Sequence, residues 1–239
     1  MSDFNPLTSP APKEVMLTNP PLVGALAQIR YPKIMAIRQD DYVARFQEFI
    51  RHDYHIYEKE EGFGIQTVQG NVVSAGPVAP VHKFKGIKNK SVTLSEDFVA
   101  IDTSFYEDGK SGFLEQLSFV ITATKNHINP HNMSRLGIRF VHRLVGDKMN
   151  NIEEYVRKDF LPPLMKKGET PSSFSQAMYK TKEGFSLGVH WGWVRANQNF
   201  PNMDFIQTIN KDSWFLDIDC FQQGDKAFSE EGIIYSTAL

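Results

Sequence analysis

The sequence predicts an α+β protein of two similar halves, each a mainly antiparallel sheet with helices on one face, running strand, helix, several strands, helix. Three observations predict it. Apolar residues switch between alternate positions, the period of a half-buried strand, and spacings of three and four, the period of an amphipathic helix. Two pairs of short segments repeat: Ile29-Arg30-Tyr31 parallels Ile138-Arg139-Phe140, and Phe98-Val99-Ala100-Ile101-Asp102 parallels Phe215-Leu216-Asp217-Ile218-Asp219. Each match opens or closes a half, so the repeats agree with the order of elements. With 239 residues, 41% of them hydrophobic, the chain can bury its core without a disulfide or metal staple.

Residues 1–19 form a flexible lead-in. Pro6, Pro10 and Pro12 stand there among small polar residues, a composition that favours extended chain. The first half covers 20–132. Leu22 to Tyr31 reads as a strand closed by Pro32. Asp40 or Asp41 can cap a helix through about His52, in which Tyr42, Val43, Phe46, Phe49 and Ile50 recur at helical spacing. From His55 the chain reads as hairpins, with strands near Ser91 to Leu94 and from Phe98 to Tyr106. Asp108-Gly109 breaks the last strand, and Phe113, Leu117, Val120, Ile121, Thr124 and Ile128 mark a helix that stops before Pro130.

The second half covers 133–239. Arg135 to Leu144 is a strand, Asn150 or Asn151 can cap a helix through about Phe160, and Pro162-Pro163 stops it. Phe174 to Tyr179, Phe185 to Val194 and Ser213 to Phe221 read as further strands. After Phe228 too few residues remain for a docked helix of ordinary length. The C-terminal helix of this half therefore reads as truncated, and its sheet as incompletely covered. An uncovered apolar face is a surface for a partner.

Charge and cysteine usage exclude several function classes. Twenty-six Lys and Arg against 28 Asp and Glu give a net charge of −2, which disfavours a globally basic nucleic-acid binder. Cys220 is the single cysteine, which removes intrachain disulfides, Cys-x-x-Cys redox chemistry and thiolate zinc sites together. No basic segment followed by an apolar run opens the sequence, and no run of about 18 apolar residues occurs, so a cytoplasmic location away from the membrane is expected. The glycine-rich nucleotide loops, the Gly-x-Ser-x-Gly elbow and His-Glu-x-x-His are all missing. No cofactor is expected.

The candidate ligand-binding residues come from strand alternation. Arg135, Arg139 and Arg143 share a face, with Leu136, Ile138, Phe140, His142 and Leu144 opposite. Guanidiniums in a row can grip a phosphate or carboxylate bidentately. Asp217 and Asp219 likewise share a face, opposite Trp214, Leu216 and Ile218, and can equally neutralise Arg139 and Arg143 across neighbouring strands. Trp191 and Trp193 make either core or a stacking wall for a planar ligand. The pairs His127/His131 and His52/His55 have spacings that resemble metal sites, but Pro130 interrupts the first and a helix end explains the second. No catalytic or metal-binding residue is assigned.

Five segments, in this order, resemble one family. They are Asn19-Pro20-Pro21-Leu22-Val23 leading to Ile29-Arg30-Tyr31-Pro32; Val92 to Thr103, followed by Tyr106; Arg135 to Arg143; His190-Trp191-Gly192; and Leu216-Asp217-Ile218-Asp219. Over about residues 19–230 they are similar to the sporadically distributed bacterial protein family of unknown function that carries Ile-Arg-aromatic, Arg-Leu-Gly-x-Arg-aromatic and Leu-Asp-x-Asp segments. The resemblance brings no activity and no catalytic residue. It implies an aromatic-rich helix after the last strand, where this sequence departs.

These features lead to the expectation of a non-enzymatic binding module. It would recognise a protein partner or a second copy through its second half, or a small anionic ligand. An enzyme built around the Arg and Asp strand faces is the alternative. A nucleic-acid-linked regulatory or defence component is a third, without a basic surface to support it.

Overall fold

Strands and the helices α1 and α2 form near the segments that the sequence marks for them, but the elements assemble differently. The structure, a computed structural model, describes residues 17, 20–61, 63–68, 71–77, 79–104, 109–161, 172–181, 184–198, 208–229 and 233. The expected lead-in, apart from Leu17, and the expected truncated helix after Phe228, apart from Ser229 and Ile233, lie outside the described residues.

In chain order the elements are β1 (Leu22–Arg30), α1 (Asp40–Ile50), β2 (Ile56–Glu60), β3 (Phe63–Val68), β4 (Asn71–Pro77), β5 (Val81–Lys85), β6 (Lys90–Ser95), β7 (Phe98–Thr103), α2 (Gly109–His127), β8 (Asn132–Val145), α3 (Asp147–Asn150), α4 (Ile152–Tyr155), β9 (Ser173–Lys180), β10 (Ser186–Val194) and β11 (Ser213–Ala227). Nine strands form one sheet in the order β2-β5-β6-β7-β1-β8-β11-β10-β9, and β3 pairs with β4 in a separate hairpin. The β1–β7, β2–β5, β5–β6, β6–β7 and β9–β10 ladders are antiparallel.

This corrects the expected fold class. The chain is not two duplicated α+β halves of strand, helix, strands, helix; it is mostly one large sheet with few helices. Two physical reasons stand out. β8 and β11, at 14 and 15 residues, run past the expected Arg135–Leu144 and Ser213–Phe221. The helix expected from Asn150 or Asn151 through about Phe160 is broken into pieces. Asn151 sits at φ −118°, ψ 38° between the four-residue α3 and α4, and a 3-10 turn at Lys158–Phe160 follows. The expected Asp cap on α1 is also displaced: Gln39 takes the cap position, and Asp40 and Asp41 stand in the first turn, where they favour the helix dipole.

Two compact units divide the chain. The larger comprises Gly24–Arg139 with Phe221–Leu239, and the smaller Met1–Val23 with Phe140–Cys220. In the larger unit, Ala25, Ala27 and Ile29 alternate into the core from β1. Val92 and Leu94 of β6 stand opposite Ile101 and Val99 of β7, all buried. α1 meets β5 through Phe46 and Phe84, with ring centroids 5.6 Å apart, and meets α2 through Phe49 and Phe119 at 5.4 Å. His82 is fully buried there, with its ring nitrogens 2.9 Å from the Tyr57 hydroxyl and 2.9 Å from the Ile37 carbonyl. Glu96, also buried, receives Arg38 at 2.8 Å and Lys33. No helix among the described residues is long and apolar enough to cross a membrane.

Candidate functional site

Alternation on β8 and β11 divides the smaller unit into two unlike faces. From β8, His142 and Leu144 point to one face; from β11, Trp214, Leu216 and Ile218 join them, and Val189 adds to them from β10. Leu144, Trp214, Ile152 and Val156 form a buried cluster, with Met149, Leu161, Trp191 and Leu216 packed around it. The cover over this face is short. Gly146 turns the chain at φ 63°, a left-handed conformation that favours glycine, and among the described residues α3, α4 and the 3-10 turn at Lys158–Phe160 follow.

A cavity of about 670 Å³ remains beside that cover. Its wall is mostly apolar: Leu17, Pro21, Leu144, Val189, Leu216 and Ile218 contribute, with Trp214 and Val156 from the cluster. Lys148, Tyr155, Phe160 and Arg157 line it from the cover, and Tyr155 and Arg157 are solvent-exposed. Lys148 Nζ lies 6.0 Å from the centre of the Tyr155 ring. Arg157 reaches Asp159 at 3.4 Å, and both side chains are more than 70% exposed. Burial lowers the His142 pKa, opposed by a hydrogen bond to the Leu216 backbone, so its imidazole is neutral at pH 7. His142 Nδ1 and Trp214 Nε1 are buried without a hydrogen-bond partner among the described residues.

The opposite face is polar. Asp217, fully buried, accepts a hydrogen bond from His190 Nδ1 at 2.7 Å. Phe174 stacks on the His190 ring at 5.7 Å and on Phe215 at 6.4 Å. Arg143 Nε donates to Ser213 Oγ at 2.9 Å, and burial lowers the pKa of this guanidinium. These contacts fasten β8, β10 and β11 together from behind the cavity.

The sequence-predicted residues distribute over several places. Arg143, Asp217 and Asp219 belong to the smaller unit, Arg135 and Arg139 to the larger. Arg135 places its guanidinium 4.8 Å from the centre of the Phe221 ring. Trp191 packs on the cavity-side cluster, with Phe160 edge-on at 5.2 Å. Trp193 stands under Arg195, whose guanidinium lies 5.8 Å from the ring centre. Gly192 between them passes so close to the Ser173 carbonyl that a Cβ would collide with it, which is why this aromatic pair is separated by glycine. Burial, and secondarily the Asp219 charge, raises the Cys220 pKa, so the thiol stays protonated and is a poor nucleophile. Among the described residues no group of three or more metal-ligating side chains comes together.

Sequence reasoning missed His142, Lys148 and Arg157 as cavity residues. The signal was present but was read as core: an apolar strand face followed by Gly146, Asn150 and Asn151, all poor material for a long covering helix.

No protein-family model matches the chain, and no curated protein does. A solved structure, the rolling circle replication initiator protein from Geobacillus stearothermophilus, aligns over 91% of this chain and 77% of its own at 11% identity. Its TM-score of 0.24 is too low to carry fold or function to this chain.

Proposed function

We propose that the protein is a non-enzymatic binding module that holds a small, largely apolar molecule in the smaller unit. One observation carries this reading: the cavity of about 670 Å³ between a β8–β11–β10 sheet face and its short helical cover. Small-molecule sites span roughly 300–1,000 Å³ and are mostly apolar with a few polar groups. The His190–Asp217 pair gives less support to an enzyme acting on the same ligand. Asp217 alternates between Leu216 and Ile218, so the pair occupies the face turned away from the cavity.

The test uses N-phenyl-1-naphthylamine, a neutral apolar dye that brightens on leaving water. The expected result is saturable binding with one dye per chain, weakened several-fold by Ile218→Trp, which narrows the cavity while circular dichroism stays unchanged. Absence of saturable binding, or binding indifferent to Ile218→Trp, overturns the reading.

A further inference from the structure

The charges around the cavity are one-sided. Among its described lining residues are Lys148 and Arg157, and none is Asp or Glu. Both cations belong to the helical cover: Lys148 is half-exposed and Arg157 exposed, so they form its rim. The opposite wall is apolar, built from Val189, Trp214, Leu216 and Ile218 with a neutral His142. A site of this kind sorts a ligand by its two ends. Charge left inside the apolar part would lose its hydration without a partner, which is strongly unfavourable. Charge at the rim keeps water and gains two cations.

Arg157 is not locked by its neighbour. An ion pair between two exposed side chains is worth about 0–1 kcal/mol, so its contact with Asp159 exchanges readily for a ligand. Its planar fork matches a carboxylate, and Lys148, which lines the same cavity, adds a point charge. Resting on the binding reading above, we propose that the ligand is a free amphiphilic monocarboxylate, with an alkyl or aryl tail along Trp214, Leu216 and Ile218 and its head between Lys148 and Arg157. The cavity volume suits one such molecule.

Displacement of bound N-phenyl-1-naphthylamine by three twelve-carbon probes tests this: dodecanoate, dodecanol and dodecylamine. Dodecanoate should bind about tenfold tighter than dodecanol, and dodecylamine more weakly than either. In the double variant Lys148→Gln, Arg157→Gln the dodecanoate-to-dodecanol ratio should fall to near one. Shortening the carboxylate to decanoate and octanoate should weaken binding by about three- to fourfold per methylene, because each buried methylene contributes on the order of 0.8 kcal/mol.

The outcomes separate the two readings. If the neutral dye and dodecanol bind but dodecanoate is no tighter, or the ratio survives in the double variant, the monocarboxylate inference falls and the cavity reading stands. If neither the dye nor any probe binds to saturation, the cavity reading falls and takes this inference with it.

Discussion

The two units treat an apolar sheet face in opposite ways. The larger unit covers its strands with an 11-residue and a 19-residue helix, and its centre is filled by Phe46, Phe84, Leu117 and Ile121, each no more than 2% exposed. The smaller unit also offers an apolar face, but among the described residues two four-residue helices and a 3-10 turn cover it, and a cavity remains. The lesson is geometric: the face supplies the hydrophobic driving force, and the length of its cover decides whether that face becomes core or binding site.

Truncation gives the largest contrast. Phe46→Ala should cost about 3–5 kcal/mol in urea unfolding, because nothing can relax into the space it leaves. Leu216→Ala, on a wall that already faces open volume, should cost about 1–2 kcal/mol. Equal losses would break the distinction between a filled and an unfilled unit.

Enlargement sharpens the same comparison from the other side. Ile121→Trp overpacks a closed core and should destabilise by about 1–3 kcal/mol or more. Ile218→Trp should stay within about 0.5 kcal/mol of the parent, since its indole has a cavity to enter. A large loss at Ile218 would show that the space is already filled.

Acidification tests both units through one desolvated imidazole each. Desolvation lowers the His82 pKa, opposed by the hydrogen bond to Ile37, and desolvation likewise lowers that of His142. A depressed imidazole lends stability that is whole above the ordinary value of about 6.5 and is lost as pH falls from there through the folded value. Unfolding free energy should therefore be lower at pH 5 than at pH 7.5. The decline should flatten when His82→Gln and His142→Gln are combined; an unchanged slope would assign it to other groups.

The smallest effect belongs to the rim. Arg157→Gln removes an ion pair between exposed side chains and should leave the urea midpoint unmoved within measurement error. A marked loss would make Arg157 part of the fold instead of part of the site.

Local pattern was legible in the sequence because it depends on near neighbours. Alternation on β8 and around Asp217 predicts which residues share a face, and His142 and Leu144 do share one with Trp214, Leu216 and Ile218. The spacing of Phe46, Ile50, Leu117 and Ile121 likewise predicts α1 and α2. The repeat read from Ile29-Arg30-Tyr31 and Ile138-Arg139-Phe140 misled, because short strands with similar composition look alike whatever sheet they enter.

By itself, then, the sequence determined the periods, the faces and the absence of the common nucleotide, hydrolase and metalloprotease motifs. Tertiary structure alone decided three things: that nine strands join in one sheet, that Asp217 takes His190 from 27 residues away, and that the described residues leave a cavity at the face carrying His142 and Ile218. The physical reason is common to all three. Which face a side chain takes follows from the backbone beside it, but what that face meets depends on the length and path of distant segments.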